Sequence, residues 1–331
     1  MQHPVSQTIK ILLKTEQEIF DRLVESDNPF RKLSKIINFK ELVAPLRALY
    51  SDLGKTGIDV ETGFKCLLVQ FWESYSDREM EKALKHNIAV RWFCGFSLTD
   101  TTPDHSYFGK LRNRLGADRI ADIFASVNST LSGYGLFGNV FHFIDASAII
   151  TKTALWEERD RAIKDGEKTL NNAVVTKYAA DKDARWGAKS KSKIWFGYKR
   201  HHAVDMRYGL IEKTAVTPAN VMDFKALERV CPDQGMVFMD KLYDCAEADR
   251  VVSEHGCQTA TIRKNNNKEK KKDLDRWRSS IRMPFEAVFS KVKKRARYRG
   301  VVKVAYQNFF EAIVYNLKKA VVILPRLAVI V

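Results

Sequence analysis

The chain predicts an α/β catalytic body preceded by a mainly α-helical N-terminal domain, and three observations carry that prediction. Before about residue 136 the apolar residues recur at helical spacing. From Phe137 onward, short β-branched and aromatic runs alternate with helical segments, and the last of these is strongly basic. A chain of 331 residues with 45% hydrophobic content is long enough to bury at least one sizeable core.

In residues 1–136, Phe64, Leu67, Leu68, Phe71 and Trp72 would line one buried helical stripe. Ser76-Asp-Arg-Glu79 matches a capping box, in which hydroxyl and carboxylate each satisfy a backbone amide, so a new helix starts there. Thr102-Pro103 is a further start signal. The result is either an ordinary bundle with solvated charges or helices whose basic faces contact DNA.

Residues 137–325 form the expected catalytic domain, and 326–331 a short tail. Val140–Ile150 reads as a strand buried on both faces. A polar stretch at about 151–193 has no clear period and reads as an insertion. Ile194–Met206 and Leu210–Thr217 are a strand pair turning at Arg207-Tyr-Gly209. Val221–Val230 is a helix, Met236–Asp240 a short strand, Ala246–His255 a helix and Gln258–Arg263 a strand, followed by basic helices.

The net charge is +16 with a pI near 9.5. From Arg263 to Lys303 there are sixteen Lys and Arg against four acids, so +12 of that charge lies in one segment. A clustered positive field fits a phosphate backbone better than an acidic small molecule. The five cysteines, Cys66, Cys94, Cys231, Cys245 and Cys257, are scattered without a Cys-x2-Cys pair, which disfavours disulfides and a zinc ribbon. The N-terminus resembles no secretory signal, and the apolar run Ala320–Val331 is too short for a bilayer. A cytoplasmic protein without membrane partners is expected.

Within the basic segment, the stretch Arg278–Lys293 holds a single acid, Glu286. Asp145 and Asp240 each end a predicted buried strand, and in an α/β sheet sites form at the carboxyl ends of strands. Neighbouring strands would bring both carboxylates to one edge, and a helix across that edge would add Glu286. Oxygen-only ligands suit Mg²⁺ or Mn²⁺, and two such ions about 3.5–4 Å apart clamp the attacking and leaving oxygens of a phosphodiester. Asp205, Asp223 and Asp244 keep the ordinary reading of turn or cap acids.

At about 100° per residue, Ile281, Phe285, Val288 and Val292 share one helical face, whereas Glu286 and Lys293 share the next. Pro284 is best tolerated in a first turn, which would leave Arg282 just outside the helix. Adjacent His201 and His202 point to opposite strand faces and cannot easily share an ion, so neutral or DNA-facing roles are expected for them and for His142.

These residues resemble a known family. Arg282-x3-Glu286-x6-Lys293 is similar to the later part of the Tyr-x2-Arg-x3-Glu-x6-Lys signature of DDE transposases from bacterial insertion sequences. Phe143-Ile-Asp145-Ala-Ser resembles the strand with the first Asp, and Phe238-Met-Asp240-Lys-Leu-Tyr243 the second-Asp motif. Asp183-Ala-Arg-Trp-Gly187, Phe196-Gly-Tyr-Lys199 and Arg297-Tyr-Arg-Gly300 also match. Ser76–Leu84, Arg91–Leu98 and Thr102–Ser106 resemble the helical domain of the insertion-sequence-five type. In departure from the pattern, Ser279 replaces the signature Tyr, Leu242 replaces a common Gly, and Pro284 lies within the signature.

The resemblance implies an RNase H-like fold, a mixed central sheet flanked by helices, with Asp145, Asp240 and Glu286 holding two Mg²⁺ (or Mn²⁺) ions. It implies cleavage at terminal inverted repeats and transfer of a 3′-hydroxyl into target DNA, with a homodimer at paired ends and a nucleoid location when bound. Arg282 and Lys293 would hold the terminal phosphates. Lys291, Lys294, Arg295, Arg297, Arg299, Lys241 and Lys199 are the further expected DNA contacts. Trp277 and Tyr298 are candidates for stacking on a base or for core packing. A stand-alone endonuclease on the same fold, and an inactive DNA-binding descendant, are the alternatives.

Overall fold

The computed structural model describes residues 15–50, 57–151, 171, 177, 179–190 and 193–327. Most of the expected polar insertion and of the 326–331 tail lies outside the described residues. The chain divides into two compact units, residues 1–130 with 317–331, and residues 131–316.

The first unit is helical: α1 Pro29–Ile36, α2 Phe39–Leu42, α3 Val60–Glu73, α4 Asp77–His86, α5 Ile88–Cys94 and α6 His105–Gly133. The predicted stripe of α3 is buried, and aromatic rings fill the centre, with Phe30 stacked on Phe93 at 4.7 Å and Phe39 edge-on to Phe93 at 5.4 Å. Both halves of the Ser76–Glu79 capping box form. Asp77, in the first turn that the box fixes, accepts two 2.7 Å bonds from Arg112 of α6. Helix α6 begins at His105, later than Thr102-Pro103, because Asp104 accepts from the Ser106 amide and takes the capping role.

The second unit holds a six-stranded mixed sheet: β1 Phe141–Ile150, β2 Arg185–Ser190, β3 Lys193–Asp205, β4 Leu210–Pro218, β5 Met236–Phe238 and β6 Gln258–Thr259. The order is β2-β3-β1-β5-β6, with β4 also on β3. β1 runs antiparallel to β3 and parallel to β5. Helices α7 Leu227–Val230, α8 Ala246–Glu254, α9 Lys272–Lys291 and α10 Val301–Leu327 complete the chain.

Four sequence expectations change. β2 lies within the stretch read as a polar insertion, since a six-residue edge strand interrupted by Gly187 and Lys189 carries no alternation. The helix at 221–230 is a 3₁₀ turn, Asp223–Ala226, leading into α7. β6 is short as a ladder, although amide bonds from Ala260 to Val237 and from Ile262 to Met239 continue the pairing. Helix α9 starts ten residues before Arg282 and carries Pro284 in its interior.

Polar groups dock α10 on the sheet. Buried Arg200 of β3 donates to Asn308, to the Lys293 carbonyl at 3.1 Å and to Glu311. Asn316 exchanges two hydrogen bonds with the Ile211 backbone. Each would leave a buried group unsatisfied if removed, which makes this interface specific as well as cohesive.

Gly197 of β3 pairs with Ile150 at the end of β1. Its φ of +149° disfavours side-chain-bearing residues, and a Cβ there would collide with the Ile149 carbonyl oxygen. Gly197→Ala is therefore expected to lower stability by about 2 kcal/mol or more in urea unfolding. A loss under about 0.5 kcal/mol, as for an ordinary surface change, would show that this close approach does not require glycine.

Candidate active site

Parallel pairing of Phe143 with Phe238 sets the geometry. Asp145 and Asp240 each lie two residues further along their chains, and successive side chains of an extended strand alternate in direction, so both carboxylates emerge on the same side of neighbouring strands. Asp145 Oδ1 accepts from the Ala146 amide at 2.8 Å. Asp240 Oδ1 accepts from the Leu242 amide at 2.7 Å, capping the turn Lys241–Tyr243. Leu242 is not among the positive-φ residues, so the turn closes without the glycine common at that position.

The two acids share an unfavourable environment. Burial pushes Asp145 up to about 6, and the neighbouring Asp240 charge adds to the shift against the Ala146 amide, Lys189 and Arg282. Burial also raises Asp240, with Asp223 contributing and the Leu242 amide, Arg282 and Lys189 opposing. The buried Tyr243 phenol is raised by burial and by Asp223, Asp145 and Asp240 together. Four groups thus meet at the end of the β1–β5 pair.

Helix α9 lies against this pair through three aromatic contacts: Phe289 edge-on to Phe143 at 5.7 Å, the Arg282 guanidinium 5.1 Å from the Phe143 ring centre, and Trp277 6.0 Å from Phe238. Arg282 is thus buried within the helix, not outside it. Its Nη2 donates to Glu286 Oε1 at 3.3 Å, while Nε and Nη1 are buried with no hydrogen-bond partner among the described residues. Glu286 stays half exposed. Among the described residues no group of three or more His, Cys, Asp or Glu is close enough to hold a metal ion. The structure thus brings Asp145 and Asp240 together and leaves Glu286 on Arg282.

Lys293 lies past the end of α9, not on the Glu286 face of a continuing helix. Its backbone is fixed by Arg200, and pairing of Ile150 with Lys294 and Ala296 ties the following segment to the end of β1. Lys241, Lys291, Lys293, Lys294, Arg295 and Arg299 are exposed, and Arg297 is half-buried. Lys199 is engaged by Asp223 at 2.8 Å and by the Val221 carbonyl. Trp277 is half exposed beside Phe238, and Tyr298 is edge-on to Tyr306.

His201 and His202 are fully buried on hydroxyls of Thr217 and Thr214, and burial lowers both, His201 to about 4. They are neutral core residues and do not face DNA. His142 is buried beside Glu212 at 2.7 Å. Asp205 accepts from the Gly138, Asn139 and Arg207 amides, and Asp244 holds the loop at Arg263, Lys264 and Asn267. Asp223, read from sequence as an ordinary cap acid, instead pairs with Lys199 next to the site. Lys189, whose charge acts on both Asp145 and Asp240, went unnoticed because it sits in the stretch read as an insertion.

A mixed, curled sheet covered by helices, with Asp145 midway along β1 rather than at its end and Asp240 just past the end of the adjacent β5, is an RNase H-like arrangement. Residues 143–317 match the family described as Transposase DDE domain, and residues 18–114 that described as Transposase domain (DUF772). The chain is also similar to the transposase for insertion sequence element IS1106 of Neisseria meningitidis serogroup B, with 30% identity over 227 residues, covering 65% of this chain and 77% of that protein. No solved structure matches. The chain belongs to the DDE transposases of bacterial insertion sequences. Members of that family act on DNA and generally use divalent metals. Among the described residues, no helix is long and apolar enough to cross a membrane.

The raised Asp145 carboxyl has a consequence for stability. Below its ordinary value of 3.8 the acid is neutral folded or unfolded and contributes nothing; between 3.8 and about 6 the unfolded chain ionises while the folded one resists, so stability falls as pH rises. In divalent-free buffer, Asp145→Asn should therefore stabilise the protein by about 2 kcal/mol at pH 8, with the gain vanishing near pH 4. Denaturant midpoints at the two pH values check this; an equal effect at both would assign it to packing instead.

Proposed function

We propose that the chain cleaves the ends of its insertion sequence and joins the freed 3′-hydroxyl to target DNA, with Asp145, Asp240 and Glu286 holding Mg²⁺ or Mn²⁺. The observation that supports this is the Asp145–Asp240 pair: two half-buried oxygen donors, each raised chiefly by burial, with the Asp240 charge adding to the shift at Asp145. Such a donor set fits a hard divalent cation. Bound ions supply activation of water, and later of the 3′-hydroxyl, and stabilise the leaving oxygen of an in-line displacement.

The chain's own residues do the rest. Phe143 and Phe238 fix the spacing of the two strand acids. Glu286 reaches the pair only by leaving Arg282, which then has its donors free for a phosphate oxygen. Lys293 and the exposed bases Lys291, Lys294, Arg295 and Arg299, with Arg297 and Lys241, track the flanking backbone. Lys199 supports the site through Asp223. Residues 137–325 are proposed as the catalytic domain and the helical residues 1–136 as contacts to terminal inverted repeats. A homodimer acting in the cytoplasm on nucleoid DNA completes the reading.

A labelled duplex made from the gene's own flanking DNA, incubated with Mg²⁺ and a target plasmid, tests this reading. Wild type is expected to cleave and join. Asp145→Ala, Asp240→Ala and Glu286→Ala should each retain DNA binding but lose both steps, by at least about two to three orders of magnitude. Joining that survives all three changes would reject the three-carboxylate site, and cleavage without joining would favour a stand-alone endonuclease.

A further inference from the structure

The hairpin formed by β2 and β3 carries a lysine that neither composition nor motif singled out. Strand pairing matches Ala188 with Ile194 but Ser190 with Lys193, so the register slips by one and Lys189 is the extra residue of a β-bulge. A bulge leaves one residue unpaired and redirects its side chain, and bulges are common beside active sites. The hairpin lies beside β1. Lys189 Nζ comes within 3.4 Å of the carbonyl oxygen of Ala146, the residue after Asp145.

The hairpin is held firmly. Trp186 and Phe196 pack at 5.3 Å within a cluster containing Ile149, Tyr198 and Val304. Asn171 exchanges hydrogen bonds with the Trp186 backbone at 2.7 and 2.9 Å. Gly187 lets the strand approach Ala219, where a Cβ would lie 2.7 Å from the carbonyl oxygen.

The cations around the two acids differ in availability. Arg282 is buried, against Phe143 and Glu286, and Lys199 is committed to Asp223. Lys189 is exposed, has no carboxylate partner in an ion pair among the described residues, and is tethered only by one long contact to a neutral carbonyl. Its charge nevertheless acts on both Asp145 and Asp240.

We propose that Lys189 binds a non-bridging oxygen of the phosphate being cut, so that the scissile group lies over the Asp145–Asp240 pair between the hairpin ammonium on one side and α9 on the other. This rests on the transposase site proposed above. An ammonium on a four-carbon stem suits a phosphate that moves between cleavage and joining, because it donates in any direction. Charge developing on that oxygen in the transition state strengthens the contact, so its loss acts on rate more than on affinity.

Single-turnover cleavage of the flanking-DNA duplex, measured beside DNA affinity and melting temperature, provides the test. Lys189→Ala and Lys189→Met should slow cleavage by about 100-fold, with DNA affinity changed by less than about threefold, the salt slope reduced by about one and an unchanged melting temperature. Lys189→Arg should restore part of the rate. The proposal fails if Lys189→Ala cleaves at the wild-type rate while Asp145→Ala is inert, a result that leaves the carboxylate site standing. It also fails if the rate loss comes with a lower melting temperature and Arg restores nothing, which is the pattern of a structural role. Cleavage by Asp145→Ala at the wild-type rate would overturn the site itself and this proposal with it.

Discussion

Parallel pairing of Phe141–Phe143 with Met236–Phe238 is the constraint on which the rest of the catalytic unit depends. Those residues are ninety-five apart in sequence, so their pairing closes a long loop and brings Asp145, midway along β1, beside Asp240, just past the end of β5. The rings at the same positions do a second task. Phe143 receives both Phe289 and Arg282, and Phe238 receives Trp277, so the register that aligns the acids also forms the surface on which α9 rests. A shift by one residue would turn both the carboxylates and the rings to the opposite face.

Around this pairing the charges are arranged in opposition. Two acids are placed where burial disfavours their ionisation, and Arg282, one of the cations acting on both, is held by an aromatic ring and by Glu286. In the proposed site, ion binding and phosphate binding would thereby be linked, since an anion that takes Arg282 would free Glu286. Arg200 fixes the segment that follows the same helix: through the Lys293 carbonyl, Asn308 and Glu311 it joins the stretch just past α9 to α10 and the sheet centre. One buried guanidinium thus sets where the basic segment leaves the helix.

Much of this was legible in the sequence. The strand at 141–150, the pair at 193–218, the stripe of α3 and the Ser76 capping box carry strong local signals, and the structure forms each of them. The DDE transposase family was legible from the order of motifs. What escaped was long-range. Pro284 suggested a helix start, yet packing on Phe143 carries α9 through it, and the cost of one missing hydrogen bond is met by the contacts of Arg282 and Phe289. β2 was hidden because its partner, not its composition, makes it a strand, and Lys189 was hidden with it. Asp223 looked like any cap acid, since its proximity to Asp240 depends on two loops meeting.

Manganese binding to the DNA-free protein, followed by electron paramagnetic resonance, separates the roles of the three acids. If β1 and β5 build the ion site and Arg282 holds Glu286 away until DNA arrives, Asp240→Asn should weaken binding by at least about tenfold, roughly one lost charged ligand or 1.4 kcal/mol. Glu286→Gln should leave it nearly unchanged until DNA is added. Equal losses from both substitutions without DNA would contradict the held carboxylate, and unaltered binding in Asp240→Asn would show that the paired strands do not form the ion site at all.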